Sequence, residues 1–84
     1  MRDYETNLIV ERFFKAIEYL KAAKKIRGLK TFCDLYEINR RNLQFCKLHP
    51  ESGNFKLTFL AILIKDFGVS SEWLMTGNGD MFAK

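Results

Sequence analysis

Cysteine is scarce in this chain. Cys33 and Cys46 are the only two, too few for a disulfide framework. His49 is the only histidine, so no histidine pair exists for acid–base work. Together these three offer a zinc site only three ligands where four are wanted, and only Cys46 and His49 are near neighbours. No glycine-rich phosphate loop is present, and Ser70 and Ser71 have no base beside them in sequence to make a nucleophile. The expectation is therefore no catalytic residue, no metal, no cofactor and no small-molecule substrate. Long apolar runs are missing too. The longest, residues 57–64, is interrupted only by Thr58 and has eight residues, against the roughly 20 needed to span a bilayer. Residues 1–11 carry acids where a secretory signal needs a basic stretch and then an apolar one. A cytoplasmic setting without membrane contact is expected.

What is present is apolar and basic. The chain has 84 residues, enough for a single domain, and 48% of them are hydrophobic, enough for a packed core. The formal charge of +4 is unevenly spread. Residues 21–48 hold eight basic groups against only Asp34 and Glu37, while the segments on either side each carry one more acid than base. A surplus of six charges thus sits in the central third.

Glycines and turn residues cut the chain into five segments of helical spacing. In the first, about 7–27, Val10, Phe13, Phe14, Ile17 and Leu20 form the apolar stripe, with Asn7 as N-cap and Gly28 as the stop. The second is short, about 30–36. The third runs from Asn39 as N-cap to Leu48, because Pro50 forbids helical geometry at His49. Ile38 and Leu43 stand at the ends of a hydrophobic staple around that cap. The fourth, about 56–67, is apolar nearly all round and reads as the central buried helix. Ser70 caps the fifth, with Val69 and Leu74 as its staple, and the turn at residues 77–79 ends it. Residues 80–84 form a tail whose Met81 and Phe82 need a partner surface. The fold expected is an all-α, compact five-helix domain.

Helices two and three are joined by about three residues, Glu37, Ile38 and Asn39, the length of a helix-turn-helix corner (about 29–48 in all). At 100° per residue, Leu43 and Cys46 fall on the inner side of helix three. Arg40, Arg41, Gln44 and Leu48 cluster on the other, with Phe45 beside them and Lys47 at the edge. Arginine presents a bidentate fork to guanine, and glutamine a donor and an acceptor to adenine. Arg40, Arg41 and Gln44, early in the helix, are the candidates to reach base edges. A solvated, purely structural charged face is the competing reading.

The sequence resembles the phage-repressor (Xre-type) helix-turn-helix family, the lambda-repressor-like DNA-binding domains. The resemblance covers about residues 9–82 and rests on two parts. One is the helix-turn-helix, with Phe32, Cys33, Tyr36, Ile38, Leu43 and Cys46 at the family's core positions. The other, more specific, is the closing pattern: Gly68, Val69 and Ser70 as a cap, the pair Trp73 and Leu74, a turn at Gly77, Asn78 and Gly79, then Met81 and Phe82.

The resemblance implies sequence-specific duplex binding by a transcriptional regulator, repressor-like and often a homodimer on a two-fold operator. It implies phosphate or flanking contacts from Lys30 and Thr31, from Asn39, Phe45 and Lys47 around the third helix, and from Asn54 and Lys56 ahead of the fourth. The chain departs from the family at three points. Glu37 stands where a glycine of positive φ is usual, at a cost of about 1 kcal/mol. Leu29 replaces a common DNA-contacting glutamine. Phe45 and Leu48 put apolar surface on the reading face, where they have three destinations: thymine methyl groups, the 51–55 loop, or a protein. The last supports an alternative function, an antitoxin-like or adaptor interaction module on the same fold, with Met81 and Phe82 in its patch. Apolar residues flanking the first stripe (Ile9, Ala16, Tyr19, Ala22, Ala23) call for cover by a second copy or by the fourth and fifth helices.

Overall fold

A computed structural model describes residues 4–52 and 55–82. The elements are α1 (Tyr4–Ala22), α2 (Leu29–Tyr36), α3 (Arg40–Leu48), a one-turn 3-10 helix (Pro50–Ser52), α4 (Leu57–Phe67) and α5 (Ser71–Thr76). The domain is all-α. The sole extended pairing among the described residues is an isolated antiparallel bridge between Val69 and Phe82.

The core is built on α1. Val10, Phe13, Ile17 and Leu20 point inward and are almost wholly buried. Phe13 is the hub, its ring centroid 5.0 Å from those of Phe14 and Phe55, 6.1 Å from Phe32 and 6.2 Å from Phe59. Phe32 and Cys33 of α2, Leu43 and Cys46 of α3, Phe59, Leu60 and Leu63 of α4, and Leu74 of α5 complete it.

Three expectations are corrected. α1 starts before Asn7, which lies inside the helix instead of capping it, with its Oδ1 buried and unpaired. The helix also ends at Ala22, well before Gly28. Lys24 adopts a left-handed conformation (φ 62°), the Lys25 amide donates to the Leu20 carbonyl at 2.9 Å, and the Lys24 amide to the Lys21 carbonyl at 3.0 Å. That is a Schellman stop with lysine where glycine is usual. Third, α4 is not the buried centre. Leu57, Ala61 and Ile64, spaced four and three apart, are exposed, Leu57 to 77%. The outward side of α4 has no element left to cover it, and α1 takes the central place.

The C-terminal tail needs no outside surface. The Ser70 amide donates to the Met81 carbonyl at 2.7 Å, and Phe82 lies with its ring centroid 5.0 Å from that of Tyr19. Met81 and Phe82 are half-buried against the core, and Ala16 is fully buried, so much of the flanking apolar surface of α1 is covered within the chain. The caps read from sequence are in place. Asn39 Oδ1 accepts from the Asn42 amide at 3.0 Å and Ser70 Oγ from the Trp73 amide at 3.2 Å. At the far end of α5, Gly77 takes φ 81° and Arg12 Nη1 donates to the Leu74 carbonyl at 3.1 Å.

Candidate nucleic-acid interface

The corner between α2 and α3 is set by two residues. Glu37 stands in the left-handed region at φ 55°, the conformation that the glycine it replaces would take without strain. That turn lets the Ile38 amide donate to the Cys33 carbonyl at 2.9 Å. Asn39 then satisfies one of the free amides of the first turn of α3. With Leu43 and Cys46 fully buried, the rotation of α3 about its axis is fixed, and what remains faces out.

Arg40, Arg41, Gln44 and Lys47 are all exposed, on successive turns of one helix. Among the described residues neither arginine enters an ion pair. Lys47 is 3.9 Å from Glu18 of α1, a long contact between exposed groups that water and salt screen strongly. Lys30 pairs with Asp34 at 3.1 Å, one turn along α2, again in solvent. Thr31 is half-buried beside it in the first turn. Lys56 is the exposed N-cap of α4 and makes no side-chain cap bond there. Asn54 lies outside the described residues.

Phe45 is 44% exposed, and its ring centroid sits 4.8 Å from that of His49, one turn further on. His49 Nδ1 in turn lies 3.6 Å from Glu51 Oε2. The spacing i, i+4 within a helix and its cap was the available signal for the Phe45–His49 pair. Leu48 is 75% exposed, so the outward face of α3 is mixed: basic and amide-bearing at its start, apolar at its end.

Neither cysteine is placed for chemistry. Burial first, then the neighbouring Asp34 carboxylate, push the Cys33 thiol up, against a smaller lowering by Arg40. Burial likewise pushes Cys46 up. Both therefore stay protonated thiols and behave as small apolar side chains. Among the described residues no three His, Cys, Asp or Glu side chains gather in a way that would hold a metal, and no helix is long and apolar enough to cross a membrane.

A second basic feature was not singled out from the sequence. Lys21, Lys24, Lys25 and Arg27 are all exposed at the end of α1 and in the turn after it, and the described residues give none of them an ion pair. Sequence reading had assigned them to the last turn of a longer helix. No family model, curated protein or solved structure matches this chain.

Proposed function

We propose that the protein is a sequence-specific double-stranded DNA-binding regulator of transcription, repressor-like, acting by occupancy and without catalysis. The reading is carried by α3, whose Arg40, Arg41 and Gln44 are exposed and not ion-paired while its opposite side is locked into the core. It is supported by the resemblance of the corner and of the closing segment to phage-repressor helix-turn-helix domains. In this reading α3 enters the major groove, its first residues reach base edges, and Lys30 and Lys56 hold phosphate from two helix starts. A homodimer then reads two half-sites roughly 34 Å apart.

The test is a duplex titration at two salt concentrations. Four phosphate-neutralising groups would weaken binding by about a hundredfold between roughly 50 and 200 mM salt, through counterion release. Replacing Arg40 and Arg41 by alanine should weaken binding at either salt and flatten that dependence to about tenfold. Binding absent, or indifferent to salt and to both arginines, would reject the proposal. A second reading, the antitoxin-like or adaptor module, is favoured by the exposure of Phe45 and Leu48 at the end of α3. Leu48→Ser should leave duplex binding nearly unchanged under the first reading and abolish partner binding under the second.

A further inference from the structure

We propose that the groove between the ends of α1 and α4, roofed by Phe82, docks an acidic, apolar-tipped segment of a partner protein. The site is separate from the outward face of α3 and does not depend on it. The groove has a volume of about 380 Å³, and its walls include the aromatic rings of Tyr19, Phe67 and Phe82, with Ala23 leaving room between them. Tyr19 is 51% exposed although it is aromatic and its ring lies 5.0 Å from that of Phe82. Such an open aromatic wall suits an inserted leucine or phenylalanine side chain more than a fully enclosed ligand.

Charge decides the class of occupant. Two charged residues line the groove, Lys25 and Asp66, and no ion pair joins them. Asp66 is already engaged by the hydroxyl of Tyr36. Lys25 has no such partner, and Lys21, Lys24 and Arg27 add three exposed cations on the adjoining turn and helix end. Four full positive charges outweigh the roughly half negative charge that the end of α1 contributes. The groove therefore offers aromatic surface beside a cationic rim, complementary to carboxylates flanking an apolar anchor. A DNA backbone would satisfy the rim but bring nothing to bury against the three rings.

The experiment uses two fluorescein-labelled synthetic peptides with leucine and phenylalanine at helical i, i+4 spacing, one with flanking glutamates and one with glutamines instead. Binding is followed by anisotropy, and aromatic proton shifts report where the peptide sits. The glutamate peptide should bind at least about tenfold more tightly than the glutamine peptide, corresponding to about 1.4 kcal/mol. It should shift the Tyr19, Phe67 and Phe82 resonances. Lys25→Glu should weaken it by about tenfold or more, and Tyr19→Ser by several-fold, each at an unchanged melting temperature for these exposed positions. Should Tyr19→Ser fail to fold, Lys25→Glu and the shift map still decide. Equal affinity of the two peptides, no binding of the glutamate peptide, or indifference to Lys25→Glu would overturn the proposal. So would displacement of the peptide by duplex DNA with the same three rings shifted, which would assign the groove to DNA.

Discussion

Lys24 at φ 62° and Glu37 at φ 55° are two ordinary L-residues held where a Cβ crowds its own backbone. Both are helix stops whose geometry is required by the hydrogen bonds they permit. Replacing either by glycine should raise the unfolding free energy by up to about 1 kcal/mol, offset in part by glycine's greater freedom when unfolded. Chemical denaturation of each variant checks this, and a loss of stability at both would contradict the assignment. Glycines 68 and 77 make the reverse test. Each has positive φ, but an added Cβ meets nothing within 4 Å at Gly68, whereas at Gly77 it would come within 2.9 Å of Arg12 Nη2. Gly68→Ala should cost about 1–2 kcal/mol from backbone strain alone. Gly77→Ala should cost about 1 kcal/mol more, through loss of the Arg12 bond to the Leu74 carbonyl. In an Arg12→Met background that difference should vanish.

The helices differ in how their starts are held. α3 and α5 open on Asn39 and Ser70, whose side chains bond back to the helix, while α2 and α4 open on Gly28 and Lys56 without a side-chain cap. Asn39→Ala should cost about 1 kcal/mol and loosen the start of α3, and Asn39→Ser should restore most of it. These caps were legible because their chemistry is local: an amide or hydroxyl side chain, an apolar residue on each side, and a periodic run behind. The end of α1 was not legible. Nothing in the neighbours of Lys24 marks it for a left-handed turn, and Gly28 draws attention as the conventional stop. The exposed side of α4 was equally hidden, since composition predicts burial but only the packing of the other helices decides which apolar residues find cover. On α3 the periodicity placed Leu43 inward and Arg40, Arg41 and Gln44 outward, as observed. What the outward side chains bind has no local signature.

Across the whole molecule, ionisable groups with displaced protons tie stability to alkaline pH. Burial raises the Cys33 and Cys46 thiols above an ordinary value of 9.0, and burial followed by the hydrogen bond to Asp66 raises the Tyr36 phenol above 10.0. The unfolded chain loses these protons first. Stability should therefore be complete below about pH 9 and decline as pH rises through the folded-state values. Thermal melts across that range test the sign. Thiol labelling at pH 8 should in turn be negligible in the native protein and complete in denaturant.

The pairing of Ser70 with Met81 and of Phe82 with Tyr19 closes the chain's last residues over its first helix. Opening of the native state should consequently proceed unevenly. Amide exchange should be slowest where α1 and α5 are strapped by Arg12, and fastest across the unclasped stretch between Pro50 and Lys56. A protease offered the folded protein would then cut first in that connection, leaving two fragments that stay associated through the aromatic hub at Phe13.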